Sequence, residues 1–276
     1  ALRRFVANSV WLSVIFSVLV TTVVSLLCRQ ILLLMRTPAN IIDGSYDYII
    51  IIFLGIPVVF LYNMTAAILR SLGDSRTPVV FLVTAAVLNI FLDVFCIVVI
   101  PMGVAGAAVA TVVSQAIAGF ACLIYMRKKF TILKLSADER RWDRDYAAKL
   151  CNMGIPMGLQ YSITAIGSVI LQSAVNGIDS NAVAAVTAGG KVSMLLVCPF
   201  DAMGSTMATY GGQNVGAGDL ERVDRGLKSC TLLGLIYSLI GLGAVFLFGK
   251  QLLLLFLDAG ETQIIANAYS FIQMNA

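Results

Sequence analysis

The chain contains no histidine, little charge and no closely paired cysteines. Of its 276 residues only 12% are charged, where a soluble domain carries roughly a quarter. Without imidazole, a Ser-His-Asp triad, His-based acid–base chemistry and most zinc or haem ligand sets are excluded. The six cysteines (Cys28, Cys96, Cys122, Cys151, Cys198 and Cys230) stand singly in or beside apolar stretches, with no C-x-x-C pair. They read as small packing residues rather than a metal cluster or a disulfide framework. Disorder is excluded as well, because it needs low hydrophobicity and high net charge.

What the chain has instead is apolar length: 59% of it is hydrophobic, with a mean hydropathy of +0.91. Residues 5–28, 48–69, 150–178 and 229–249 contain no Asp, Glu, Lys or Arg. Residues 77–126 carry only Asp93 and are split by Pro101-Met102-Gly103, while a span at 182–209 holds Lys191 and Asp201. A last apolar run starts near Ile264. Each complete run meets the ~17–25 residues a helix needs to cross hydrocarbon, where every backbone group must bond internally. The expected fold is therefore all-α, a polytopic membrane helix bundle with seven complete helices and the start of an eighth.

Lys and Arg orient it. Alternate loops hold 15 of them: Arg3 and Arg4; Arg70 and Arg76; eight between Arg127 and Lys149; and Arg222, Arg225 and Lys228. The opposite loops hold Arg29, Arg36 and Lys250. The rich side is expected to be cytoplasmic. The one long polar connection, 127–149, reads as a linker with a short interfacial helix around Trp142. It separates an N-terminal lobe, 1–126, from a C-terminal lobe, 150–276.

Shifting the chain by 221 residues aligns 1–55 with 222–276 without a gap, at 12 identities that include Gln30/Gln251 and Tyr48/Tyr269. Both copies enter from the same face, so the repeat is parallel, one of the known transporter symmetries. Four helices precede the linker and two follow it before the repeat restarts. The expected unit is six helices and the intact molecule twelve. With no initiator Met either, the chain is expected to be an internal part, short of two N-terminal and about three C-terminal helices.

Asp93 is the sharpest chemical signal. A carboxylate in mid-span costs at least ~2.5–3.5 kcal/mol and faces a cavity or partner, and Asn89, four residues earlier, shares its helix face. Carboxylate, amide and hydroxyl oxygens suit a proton or a hard cation such as sodium. Asn63, Gln160, Lys191 and Asp201 are further cavity candidates; Lys191 and Asp201, ten residues apart, are no direct pair. Pro57, Pro156 and Pro199 are expected to kink their helices. Gly103, Gly106 and the alanines around them form a small-residue packing stripe.

Four motifs in order, "LRSLGDSRTP" (69–78), "NIFLD" (89–93), "GVAGAAVAT" (103–111) and "YGGQNVGAGDLERV" (210–223), resemble the multidrug and toxic compound extrusion (MATE) transporters. The resemblance runs along essentially the whole chain, from the family's third helix into its tenth. It implies two six-helix lobes and export of organic cations, drugs among them, in exchange for Na+ or H+. It places a cation site on Asn89, Asp93 and Thr111, with no catalytic residues and no cofactor beyond the coupling ion. One branch carries a Glu eight residues after the Pro of G-x-P; here Gly154-Ile155-Pro156 leads to Thr164, which favours coupling through the N-terminal lobe. The expected setting is the cell membrane, as a monomer with a small-molecule substrate and no nucleic acid. The alternative is a lipid or polysaccharide flippase of the same superfamily, which calls for a cationic cavity; an enzyme lacks the nucleophile–base pairs it needs.

Overall fold

The computed structural model describes residues 2–34, 41–136, 138–177, 179–258 and 260–275. Among them are nine α-helices and no strands. They are α1 (Leu2–Leu34), α2 (Ile42–Leu54), α3 (Ile56–Ser71), α4 (Arg76–Val94), α5 (Val104–Lys129), α6 (Arg144–Asn176), α7 (Ser180–Gly216), α8 (Leu220–Leu253) and α9 (Thr262–Asn275). Among the described residues six helices are long and apolar enough to cross a membrane, and α2 and α3, bent by 41° at their junction, pass the same test as a pair. The chain is a multi-pass membrane protein. The helices overrun the uncharged runs at both ends, because the backbone ladder continues into the headgroup layer where charged side chains are tolerated.

Two compact units divide at Ile155/Pro156, inside α6. In the first, α5 is the hub, packing against α2, α3 and α4. Its buried Gly106, Ala108, Ala110, Ser114, Ala118 and Gly119 let neighbouring backbones close in, and Tyr62, Ala66 and Leu69 of α3 meet Ala118, Cys122 and Met126 in the core. The 41° bend falls at Gly55, just before Pro57. A Cβ at Gly55 would lie 2.5 Å from Val112 Cγ2, so the bend is seated on α5. Pro156 and Pro199 stay within unbroken helices.

The segment expected as a linker packs on α1. Arg3 Nε donates to Ile132 O at 2.8 Å, Trp11 Nε1 to Arg140 O at 2.8 Å, and the Asp143 N–H to Asn8 Oδ1 at 2.9 Å. The first compact unit therefore runs through it. The short helix expected around Trp142 is replaced by two single 3₁₀ turns, Thr131–Leu133 and Asp138–Arg140, since these bonds to α1 take up the backbone. They also bring the basic loops to one end of the unit, as the Lys/Arg alternation requires.

Two connections share one construction. Gly73 and Gly218 take φ of +89° and +78°, which glycine adopts freely, and each ends a helix with the following N–H reaching back to Leu69 O or Asn214 O at 2.9 Å. The Asp that follows caps the next helix: Asp74 accepts from the Thr77 N–H at 3.1 Å and Asp219 from the Arg222 N–H at 3.0 Å. Asp74 gathers more, accepting from the Thr77 hydroxyl at 2.9 Å, Tyr125 at 3.0 Å and Lys129 at 3.2 Å. Its burial favours the neutral acid, yet the bonds from Thr77, Lys129 and Tyr125 hold its pKa down at about 2.

In the second unit α7, α8 and α9 pack around Ala185, Ala188, Val192, Val245, Leu253, Ala268 and Ile272. The sequence repeat is a structural one. Shifted by 221, α2 lands within a residue of α9, and Cys28 and Leu32 fall on Gly249 and Leu253, all four buried.

Candidate cation site

The site is built on α4 and α5. One helical turn puts Asn89 and Asp93 on the same face of α4, and the small-residue stripe brings α5 close enough for Thr111 to join them. Asn89 Nδ2 lies 3.5 Å from both Asp93 Oδ1 and Thr111 Oγ1. Thr111 gives its hydroxyl proton to Ala107 O at 2.9 Å, so its lone pairs face Asn89. All three residues are half-buried. Both Asn89 bonds are longer than the usual 2.9–3.0 Å, so the trio is loosely held.

Directly after Asp93 the helix widens. A single π-helical turn, Phe95–Val99, follows α4, a feature that recurs at functional sites. The Met102 N–H returns to Cys96 O at 3.0 Å. Gly106 lies beneath: a Cβ there would come within 3.0 Å of that carbonyl. This close approach fixes the end of α4 against the start of α5. At ~1.5 Å per residue, Asp93 is ~25 Å along the helix from Arg76. It therefore sits toward the end opposite the basic loops, rather than at mid-span as the charge pattern suggested.

The other candidates are not gathered with this trio. Asn63 is exposed on α3, donates to Val59 O at 3.0 Å and lines a hollow of about 350 Å³ with Ser9 and Ser13. No residue of α4 or α5 reaches that hollow. In the second unit Gln160 and Asp201 are exposed, and Lys191 stands 5.5 Å from the centre of the Phe256 ring. No described cavity is shared by any two of these residues. Among the described residues no three His, Cys, Asp or Glu converge as metal ligands, and the six cysteines are free.

Sequence reasoning missed two features. The Asp74 cluster spans 51 residues to Tyr125 and 55 to Lys129, a separation no local pattern reveals. A cavity of about 610 Å³ between α7 and α8, lined by Met203, Met207, Tyr210 and Arg225 among others, carries only one signal, the four-residue spacing of its methionines. None of the cavities described here is lined by Asp or Glu.

A family model, MatE, matches residues 1–95 and 156–276, well over half of the chain. The chain belongs to the MATE family. This MATE chain is 33% identical over 257 residues to the "Probable multidrug resistance protein YpnP" of Bacillus subtilis, covering 90% of the chain and 57% of that protein. It is 28% identical over 273 residues to "Probable multidrug resistance protein YoeA" of the same organism, covering 96% of the chain and 59% of YoeA. A crystal structure of a MATE protein in the bent conformation superposes with a TM-score of 0.87 at 21% identity, covering 98% of this chain and 65% of that one; it establishes the fold. The MATE chain thus spans less than two thirds of the length of the relatives it matches.

Proposed function

We propose that this chain belongs to a cation-coupled antiporter of the cell membrane, which exports organic cations by alternating access and works as a monomer. The observation that carries the reading is the Asn89–Asp93–Thr111 trio, polar, half-buried and shared between two membrane helices. The names of the two Bacillus relatives, both multidrug resistance proteins, support the export of drugs.

The chemistry follows from the amide. As placed, Asn89 bridges its neighbours through its NH2 group, a donor that repels a cation. Turning the amide over exchanges Nδ2 for Oδ1 and brings three oxygens, from Asn89, Asp93 and Thr111, onto one point. A carboxylate with two neutral oxygens suits Na+, and a proton on Asp93 satisfies the same group more simply. Entry from the outer end matches the position of Asp93 along α4. Capture of the ion ties α4 to α5 across the π-turn, and that repacking drives the substrate out.

The test uses the whole protein in proteoliposomes, with a fluorescent organic cation followed under a sodium gradient and then a pH gradient. Transport driven by one gradient and abolished in Asp93→Asn supports the reading and names the ion. Transport that survives Asp93→Asn moves coupling elsewhere. No cation transport under either gradient refutes drug export and favours the flippase.

A further inference from the structure

We propose that the first unit binds one acidic phospholipid of the cytoplasmic leaflet, with an acyl chain between α1, α3 and α5 and its phosphate among Arg127, Lys134 and Arg140. The inference rests on the membrane-embedded fold and stands apart from the export reading.

A cavity of about 590 Å³ opens at the end of the unit that carries the basic loops, within the ~300–1,000 Å³ of small-molecule sites. Its walls are apolar: Val6 and Val10 of α1, Met64 of α3, and Leu123 and Met126 of α5. Phe130, Leu133 and Leu135 of the polar segment close it from below. The only charged residues lining it are Arg127, Lys134 and Arg140. An apolar hollow with a purely cationic mouth is complementary to an anionic amphiphile, not to a soluble ion or to a neutral lipid.

Four acids of this region are engaged with other cations. Glu139 pairs with Arg3 at 3.5 Å, Asp143 with Arg4 at 3.7 Å, Asp138 with Arg141 at 4.0 Å and Asp74 with Lys129 at 3.2 Å. Among the described residues no ion pair forms at Arg127, Lys134 or Arg140. Exposed guanidinium and ammonium groups at the cytoplasmic headgroup level attract acidic lipid, and basic pockets between membrane helices hold such headgroups. Trp11 marks the depth: its indole N–H holds Arg140 O at the rim, 2.8 Å away, and an amphipathic ring of that kind settles at the membrane–water interface.

The test is native mass spectrometry of the full-length protein in detergent, with equimolar phosphatidylglycerol and phosphatidylcholine of identical acyl chains. The expected result is one bound lipid with a preference for phosphatidylglycerol of about tenfold or more, each of the three juxtamembrane cations favouring the acidic headgroup by a factor of a few. Arg127→Gln/Lys134→Gln/Arg140→Gln brings that preference to near parity. The charge-matched Lys128→Gln/Arg141→Gln/Arg144→Gln keeps it. Leu123→Trp, which fills the hollow, loses both lipids while eluting as a folded monodisperse protein. Parity in the parent protein, or a preference that survives the first triple variant, overturns the proposal. So does equal loss in the charge-matched control, which assigns the effect to diffuse charge. Displacement of the lipid by millimolar inorganic phosphate makes a soluble anion the ligand and overturns it too.

Discussion

Replacing Asp74 by Asn should destabilise the protein at neutral pH and do so less as the medium is acidified. Asp74 Oδ2 receives the Thr77 hydroxyl, the Tyr125 hydroxyl and the Lys129 ammonium, and the Lys129 ammonium also donates to the Tyr125 hydroxyl. An Asn can keep the backbone bond from Thr77 through its oxygen, but its NH2 then faces the three donors. The two hydroxyls can rotate; the ammonium cannot become an acceptor. A fall in pKa from 3.8 to about 2 corresponds to roughly 2 kcal/mol at ~1.36 kcal/mol per unit, or about 1–2 kcal/mol once solvent reaching the loop is allowed for. The sign is that of a depressed folded-state pKa: the stabilisation is complete above about pH 5 and disappears as pH falls from about 4 to 2. The assay is thermal unfolding of the whole protein in detergent at pH 7 and pH 3. Asp74→Asn should melt a few degrees lower at pH 7, with the gap narrowing by about half at pH 3. An absent gap at pH 7, or one unchanged at pH 3, would refute the reasoning.

Three further outcomes are expected. Gly55→Ala places a methyl 2.5 Å from Val112 Cγ2 and should cost about 1–3 kcal/mol by overpacking; adding Val112→Ala should recover most of the loss in the same melts. Gly106→Ala sets a Cβ 3.0 Å from the Cys96 carbonyl, against backbone that cannot rotate away, so the π-turn shifts and Thr111 moves relative to Asp93. Gradient-driven transport should drop several-fold, with a fall in melting temperature of a few degrees, and unchanged transport would detach the π-turn from the site. Asn89→Ala should abolish sodium-driven transport, and a proton-driven protein would retain part of its activity through Asp93 alone.

The spans were legible because hydrocarbon imposes one rule on every residue inside it, and Arg4, Arg29, Asp47 and Arg70 mark its edges plainly. The repeat was legible at Gln30/Gln251 and Tyr48/Tyr269 and reappears as matching helix ends. Asn89 and Asp93 were tied by the helical period, whereas Thr111 came from resemblance and from geometry 22 residues away. The bend at Gly55 lies in the turn before Pro57, where a proline frees a carbonyl, whereas its seat against Val112, on another helix, had no local signal. The π-turn after Asp93 has no local signal at all: it follows from the close approach of Gly106 to Cys96. The polar segment after Lys129 reads as solvated charge, and its contacts with Arg3, Arg4, Asn8 and Trp11 of α1 reveal that it is packed.

The two copies of the repeat are not fastened alike. At Gly249 the missing side chain leaves room for the Tyr269 ring, which a Cβ would meet at 2.7 Å, and that ring's hydroxyl donates to Phe246 O at 3.1 Å. At the matching place in the first copy stands Cys28, wholly buried, so a side chain is present where the second copy has none. The second hairpin is thus bolted by an aromatic ring at a place where the first buries a thiol. A duplicated hairpin can in this way keep its outline while the contact at its centre is remade.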